Sequence, residues 1–507
     1  MKPAMRIFHL DFNFVSLREG FVRELLAHVA AMGYDAVLWE LENQVVWKTC
    51  PECATPESWS KSRFSDLLRY SRGLKLEPIP LLQTIGHGEY VMSRPRYHAF
   101  REHPDFSDCY CVSKPEVGDF LRRWIQEYCE LFGELRYFHL GGDEAYRFGS
   151  CPACSGRDRQ TLYGEHVNAL AAELRKRRIR PGIWSDMIMT EPEKLDSIPR
   201  DIMIWDWNYS NGVGVPKSVH VAGVGTLKKA DVTPELRQRL PELLDAAGNL
   251  NPFYTTDILM KRGFDVVLNS AARSSTDGPF CPNTTVHASN IAAVDAKYRS
   301  SRLFGHCVTS WAIRLNPITA GLPLMELPRL SAAEPNAGLD AWRRQASERY
   351  FGFEGGLDAA DLLGHGNSNL RSFSAVQWTG LKDSLPTPPG FMAKRIAQWE
   401  EEREPWWLNK DAMLTAMQAD TRAGLARLDA YVDRFPVAAL WARAGRLQLD
   451  YLDLLQTVFA AGATPATRRP RILEFRAAAQ AVYEHEQAPL SAARNAGLLV
   501  DLLLDLP

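Results

Sequence analysis

The sequence has 507 residues, which predicts either two to four domains or one large barrel with an appended module. Lys and Arg total 59 against 61 for Asp and Glu, a net charge of −2, which excludes the basic surface that nucleic-acid and anionic-membrane binders use. Apolar residues are 46% and charged residues 24%, which excludes disordered and fibrous classes, and no apolar run approaches the ~18 residues of a membrane span.

Short strand-like runs alternate with amphipathic helical stretches through the first two thirds of the chain. The predicted strands are residues 7–11, 36–41, 78–83, 135–140, 181–186, 202–207, 265–269 and 304–311. Because the first strand starts with no signal-peptide core ahead of it, we expect a cytoplasmic protein. The alternation predicts parallel strands joined by helical crossovers, and eight units predict an α/β fold of the (β/α)₈ TIM-barrel type with catalytic groups at the C-terminal strand ends.

A ninth strand-like run, residues 219–224, is assigned to an insertion after the sixth strand. A doubly wound open sheet is the alternative, although no Gly-rich phosphate fingerprint follows any strand. From about residue 331 the chain becomes rich in Ala and Leu with few β-branched residues. We therefore predict a catalytic barrel over residues 1–330 and an α-helical domain over 331–507, either packed on the barrel as a layer or serving as the surface of a homodimer.

The strongest functional signal is the run His-Leu-Gly-Gly-Asp-Glu from His139 to Glu144, at the end of the fourth predicted strand. In a regular strand the adjacent carboxylates Asp143 and Glu144 would point to opposite faces. Two glycines permit backbone conformations that are closed to other residues, so the strand can break and both carboxylates can turn into the barrel mouth. The alternative is a turn with solvated acids.

This run resembles the His-x-Gly-Gly-Asp-Glu motif of glycoside hydrolase family 20, the β-N-acetylhexosaminidases, and the chain is most similar to the hexosaminidase D type of that family. The likeness spans roughly residues 6 to 325 and includes, in order, the segments 80–91, 143–146, 180–186, 204–207 and 309–311. It does not cover the C-terminal helical region.

The resemblance implies an exo-acting retaining enzyme that releases terminal N-acetyl-β-D-hexosamine, GlcNAc or GalNAc, from an oligosaccharide or glycoconjugate. Glu144 would be the general acid and base, in an apolar surround, and Asp143 would orient the 2-acetamido group that attacks the anomeric carbon. No catalytic cofactor is expected. The alternatives are a retaining glycosidase for non-acetamido sugars, with Glu40 or Glu42 as nucleophile, and a non-catalytic sugar-binding barrel.

Aromatic residues at the predicted strand ends are candidates for the walls of the sugar pocket, where apolar sugar faces need them. They are Trp184, Trp205, Trp207 and Trp311. Asp186 is either a hydroxyl acceptor or a helix N-cap. His87 contacts the sugar, orients Asp143 or makes a structural hydrogen bond within its loop.

The chain departs from the pattern of typical family members at three places. Asp11 stands where an arginine after the first strand is usual, and Arg314 follows the position of a usual last-strand carboxylate. Tyr209 is the substitute for the usual tyrosine that binds the acetamido oxygen. These departures affect hydroxyl specificity, so we predict substrate-binding roles for all three residues.

Two Cys-Pro-x-Cys elements follow the second and fourth predicted strands, in a chain with nine cysteines. Because separated knuckles of this spacing can combine, Cys50, Cys53, Cys151 and Cys154 are predicted to form a structural four-thiolate zinc site. Cys109 and Cys111 could compete as ligands. The alternative is thiols without metal, as expected in a reducing compartment.

Overall fold

The structure is a computed structural model that describes residues 5–13, 15–312, 315–375 and 390–507. Eight parallel strands close into a barrel, in the order β1-β2-β3-β4-β5-β6-β9-β10 and back to β1. The strands, including a hairpin β7-β8, are β1 (Met5–Asp11), β2 (Ala36–Glu40), β3 (Glu77–Leu81), β4 (Tyr137–His139), β5 (Arg180–Trp184), β6 (Met203–Trp207), β7 (Ser218–Val221), β8 (Gly225–Lys228), β9 (Val266–Arg273) and β10 (Gly305–Ser310). The predicted TIM barrel is confirmed.

Helices connect the barrel strands and continue beyond the last one. The described α-helices are α1 (Glu19–Ala31), α2 (Lys61–Gly73), α3 (Glu89–Met92), α4 (Pro115–Phe132), α5 (Arg159–Lys176), α6 (Pro234–Arg239), α7 (Tyr254–Lys261), α8 (Thr284–Ser300), α9 (Leu322–Met325), α10 (Leu327–Ala333), α11 (Leu339–Phe351), α12 (Gly356–Gly364), α13 (Phe391–Glu401), α14 (Pro405–Leu408), α15 (Lys410–Leu428), α16 (Pro436–Val458), α17 (Pro465–Tyr483) and α18 (Pro489–Leu504). In the described part of the chain, no helix has both the length and the apolar character needed to cross a membrane.

Two hydrophobic clusters divide the side chains of each barrel strand, because successive residues point to opposite faces. The inner cluster fills the barrel with residues such as Ile7, Leu38 and Trp205. The outer cluster, which includes Phe8 and Val37 from the same strands, packs under the surrounding helices. The barrel is therefore a packed core, and a ligand has access only at its ends.

The predicted insertion strand is confirmed as half of a hairpin. β7 and β8 pair antiparallel, with Val219 opposite Leu227, outside the barrel and after β6. The strand bounds differ most from prediction at β9, which was expected to end at residue 269 and continues to Arg273. β4 was expected over 135–140 and has only three residues, Tyr137–His139. It is short because the glycines that follow His139 take the chain out of the strand conformation.

The C-terminal helices lie against the barrel as a layer. Trp441 Nε1 donates a hydrogen bond to Ala320 O at 3.1 Å, and Tyr483 Oη donates to Pro279 O at 3.4 Å. Glu486 accepts the backbone N–H of Ile318 at 2.7 Å. These contacts support the packed-layer interpretation of the region, whereas the homodimer stays a prediction. Helix α10 crosses the predicted domain boundary at residue 330, so that boundary also stays a prediction.

Candidate active site

The turn after β4 depends on its two glycines. Gly141 and Gly142 have φ values of 64° and 92°, in the left-handed region that side chains with a Cβ rarely adopt. A Cβ on Gly141 would lie 2.1 Å from Gln83 Oε1, so a larger residue would also collide with the loop after β3. Here the sequence uses glycine for both backbone conformation and space.

Asp143 and Glu144 lie on the same side of this turn, beside His87 from the loop after β3. His87 Nε2 is 3.1 Å from Asp143 Oδ2 and 3.6 Å from Glu144 Oε2. The predicted break of the strand is thus confirmed. The hydrogen bond supports His87 as the residue that orients Asp143, which is one of the three roles left open for it.

The two carboxylates have different surroundings. The side chain of Asp143 is 9% exposed, whereas that of Glu144 is 41% exposed. Tyr146 Oη donates a hydrogen bond to Glu144 Oε1 at 3.0 Å. The expectation that an apolar surround encloses Glu144 is wrong, because the turn carries this residue to the open rim. Sequence reasoning did not assign a role to Tyr146, although its position two residues after the pair was a usable signal.

Asp186, which follows β5, supports this arrangement from the other side. Its Oδ2 accepts the backbone N–H of Glu144 at 2.8 Å, and its Oδ1 accepts Trp207 Nε1–H at 3.4 Å. The next short helix is preceded by Met187 and has no side-chain cap, so the N-cap alternative for Asp186 is wrong. Burial, together with the neighbouring Asp143 carboxylate, raises the pKa of Asp186 to about 7.

The histidine of the motif has a structural role. His139 Nδ1 accepts the backbone N–H of Gly141 at 2.9 Å, which fixes the start of the turn. Its ring lies 4.5 Å from Trp184 and 5.0 Å from Trp205 between ring centroids. Burial lowers the pKa of His139 to about 3, so the ring is neutral near pH 7.

The four predicted wall tryptophans divide into two pairs. Trp207 and Trp311 are half-buried and have surface at the barrel mouth, where Tyr209 stacks on Trp207 at 5.4 Å and meets Trp311 edge-on at 6.3 Å. Trp184 and Trp205 have no exposed surface. Both belong to the inner cluster of the barrel, where the ring of Trp184 lies 6.0 Å from that of Trp311. Their burial gives no support to direct contact with the sugar, which stays a prediction for these two residues.

Asp11 and Arg314 were predicted to bind the sugar in place of the usual family residues, and the structure describes only Asp11. Asp11 is fully buried, and its two oxygens accept the backbone N–H groups of Asn13 at 2.7 Å and Ala312 at 2.8 Å. Asp11 therefore ties β1 to the segment after β10, and the prediction that it binds a sugar hydroxyl is wrong for this structure. Burial and the nearby Glu40 carboxylate raise the pKa of Asp11 to about 6. Arg314 lies outside the described residues.

The carboxylates considered as alternative nucleophiles are inside the protein. Glu40 is 2% exposed and lies between His9 Nε2 at 3.0 Å and Gln83 Nε2 at 2.9 Å. Glu42 is 3% exposed. Neither has surface at the mouth beside Asp143, so this structure gives no support to a nucleophile at either position.

A cavity of about 290 Å³ opens beside Asp186, between the end of β6 and the hairpin. Its lining includes Asp186, Trp207 and Tyr209 on the barrel side and Ser218 and His220 on the hairpin side. The size is close to the lower limit of small-molecule sites, roughly 300 Å³. The insertion thus forms one wall of a cavity that shares Asp186, Trp207 and Tyr209 with the candidate active site.

The cysteines combine differently from the predicted zinc site. Cys50 and Cys53 are joined to each other by a disulfide, so neither is a free thiolate ligand. Cys151 and Cys154 lie with Cys111 and Glu102, and the four donor atoms are within 4.8 Å of one another. The predicted ligand set is therefore wrong in half of its members. Cys111 was considered as a competing ligand, whereas the sequence contained no signal for Glu102.

Comparison with known proteins relates part of the barrel to a family of glycosidases. Residues 48–222, which include the turn from His139 to Glu144, match the model described as glycosyl hydrolase family 20, catalytic domain. The matched segment is the part of the chain that carries Asp143 and Glu144.

Among curated proteins, hexosaminidase D from Bos taurus is 27% identical over 221 residues, which are 40% of this chain and 63% of that protein. Hexosaminidase D from Homo sapiens is 26% identical over 220 residues, 40% of this chain and 45% of that protein. The chain is thus similar to hexosaminidase D over about two fifths of its length, and it spans less than two thirds of the length of either relative. A solved β-N-acetylhexosaminidase from Bacteroides fragilis is 16% identical, with a TM-score of 0.47 over 64% of this chain and 66% of that one.

Proposed function

We propose that this protein is an exo-acting retaining β-N-acetylhexosaminidase that uses the 2-acetamido group of its substrate as the nucleophile. The observation that carries the proposal is the pairing of a buried and an exposed carboxylate, Asp143 and Glu144, on one histidine at the mouth of the barrel. The family 20 match and the hexosaminidase D relatives support the same reaction.

Glu144 is the proposed general acid and base. It lies at the open rim, where a leaving group and then water can reach its carboxyl group, and Tyr146 holds one of its oxygens at 3.0 Å. In the first step Glu144 donates a proton to the departing glycosidic oxygen. In the second it removes a proton from the attacking water, which closes the cycle.

Asp143 is the proposed partner of the acetamido group. As the acetamido carbonyl oxygen attacks the anomeric carbon, positive charge develops on the ring being formed. A carboxylate with little exposure to water stabilises that positive charge strongly. His87 fixes one Asp143 oxygen at 3.1 Å, so the carboxylate is oriented before substrate binds. With the substrate's own group as nucleophile, no covalent bond to the enzyme is needed.

The proposed sugar wall is formed by Trp207, Tyr209 and Trp311. Their partly exposed rings are close enough to contact one another. Such an aromatic wall can bind the apolar face of a pyranose and the methyl of an acetamido group. Asp186 fixes the Trp207 indole. The substrate is therefore proposed to be an oligosaccharide or glycoconjugate with a terminal N-acetylhexosamine.

The test is hydrolysis of matched aryl β-glycosides that differ only at C2, one with an acetamido group and one with a hydroxyl group. We expect turnover of the acetamido glycoside only, and we expect a stable thiazoline analogue to inhibit much more tightly than the free sugar. Turnover of the 2-hydroxy glycoside, with a fluorosugar adduct trapped on Glu40 or Glu42, would establish the two-carboxylate alternative. Binding of the sugar without hydrolysis would establish the non-catalytic barrel.

A further inference from the structure

Three buried sulfurs and one carboxylate lie together between the loops that follow β3 and β4. Cys111 Sγ is 3.3 Å from Cys151 Sγ and 3.7 Å from Cys154 Sγ. Glu102 Oε2 is 3.6 Å from Cys154 Sγ. Of the four residues, Cys151 is the most exposed, at 9%. The group is separate from the carboxylate pair proposed for hydrolysis.

These separations are those of a tetrahedral zinc site. With Zn–S bonds of about 2.3 Å and Zn–O bonds of about 2.0–2.2 Å, neighbouring ligand atoms of a tetrahedron lie about 3.5–3.8 Å apart. The observed distances of 3.7 and 3.6 Å lie in that range, and the distance of 3.3 Å is slightly shorter. Packing alone gives no reason to place a carboxylate among buried thiols, since a buried charge needs a partner.

The fourth donor is held in position by the backbone. Glu102 Oε1 accepts the N–H of Cys151 at 2.8 Å, which leaves Oε2 directed to the sulfurs. Ser113 Oγ lies 3.1 Å from Cys154 Sγ, where its hydroxyl group can donate to a thiolate. Outer contacts of this kind orient the ligands of metal sites.

We propose that Glu102, Cys111, Cys151 and Cys154 bind one structural zinc ion. A thiophilic divalent cation is the ligand this chemistry selects, because three thiolates and one carboxylate suit a tetrahedral d¹⁰ ion and leave no open position for catalysis. The proposed site keeps one of the two Cys-Pro-x-Cys elements and replaces the other with residues from the loop after β3.

The zinc joins the two loops that carry the candidate catalytic groups. Glu102 and Cys111 belong to the loop after β3, which also carries His87, and Cys151 and Cys154 belong to the loop after β4, which carries Asp143. Arg147 and Asp108 make a second contact between these loops at 2.6 Å. Zinc binding is therefore expected to fix the position of His87 relative to Asp143, and the zinc ion takes no part in the hydrolysis.

The first test measures metal on the unmodified full-length chain. The protein is reduced, incubated with excess zinc, desalted and analysed by mass spectrometry for metals, and we expect about one zinc per chain. Replacement of zinc by cobalt should give the visible d–d and thiolate charge-transfer bands of a tetrahedral cobalt–thiolate site. Protein that retains no zinc after this treatment, or retains it without those cobalt bands, would overturn the proposal.

The second test assigns the ligands with matched variants. Cys151→Ser and Glu102→Gln should each lose most of the bound zinc and lower the melting temperature. Cys129→Ser, at a half-buried cysteine of α4, and the double variant Cys50→Ser/Cys53→Ser should keep it. Zinc that disappears in the Cys50/Cys53 variant but persists in Glu102→Gln would contradict this ligand set. Because metal is measured per folded chain, a variant that fails to fold does not decide the result, and the cobalt spectrum of the unmodified protein remains the criterion.

Discussion

The replacement of Asp143 by Asn is the most direct test of the proposed mechanism. The substitution keeps the size of the side chain and an oxygen that accepts the hydrogen bond from His87, 3.1 Å away. It removes only the negative charge. The proposed first step, attack by the acetamido oxygen, is the step that this charge favours.

The size of the effect follows from the position of the carboxylate. A unit charge about 4 Å from the developing cation is worth about 4 kcal/mol at an effective dielectric constant of 20, and the 9% exposure of the side chain makes that value suitable for this site. The retained dipole of the amide offsets about 1 kcal/mol of this. At 1.36 kcal/mol per tenfold, we expect the rate of the first step to fall roughly 10²- to 10³-fold.

The assay is single-turnover hydrolysis of aryl N-acetyl-β-hexosaminides with good and poor leaving groups, with thiazoline affinity measured alongside. The loss should be similar for both leaving groups, because ring formation and not protonation is affected, and thiazoline should lose much of its advantage over the free sugar. Asp119→Asn is the control, since this exposed carboxylate pairs with Arg122 within α4, away from His87. A fall of less than about tenfold in a folded Asp143→Asn variant, with thiazoline binding unchanged, would refute the assigned role.

Three further predictions concern the neighbouring groups. Glu144→Gln should lower kcat roughly 10²- to 10⁴-fold for alkyl glycosides, and much less for aryl glycosides whose good leaving groups depart without a proton. Stopped assays of both series measure this difference. Equal losses for the two series would argue against Glu144 as the acid. Tyr146→Phe removes a hydrogen bond of 3.0 Å that orients Glu144 and should lower kcat for alkyl glycosides roughly twofold to tenfold, whereas an unchanged kcat would show that the contact has no role. Because the pKa of Asp186 is raised to about 7 from its usual value near 3.8, the folded state takes up a proton that the unfolded chain releases. The contribution of Asp186 to stability is therefore complete below about pH 4 and is lost as the pH rises through about 7. Across that interval the melting temperature should fall more steeply in the unmodified protein than in Asp186→Asn. Parallel melting curves for the two proteins would contradict the raised pKa.

Local sequence determined the barrel and the turn that carries the carboxylate pair. Strand periodicity is a local property, and it located all eight barrel strands and one strand of the inserted hairpin. The double glycine before Asp143 and Glu144 was equally readable, because a positive φ is a requirement of the residue itself. The His139–Glu144 motif led to the hexosaminidase family by the same local information.

Tertiary structure alone decided which side chains meet and which of them reach the surface. Trp205 and Trp207 are two residues apart and share a face of β6, yet barrel closure buries the first in the interior and leaves the second, the last residue of the strand, at the mouth. Asp11 lost its predicted role because β10 brings Ala312 to its carboxylate across 301 residues of chain. Glu102 joined three cysteines for the same reason, since contacts between distant loops depend on how the barrel closes and leave no mark in the spacing of residues along the chain.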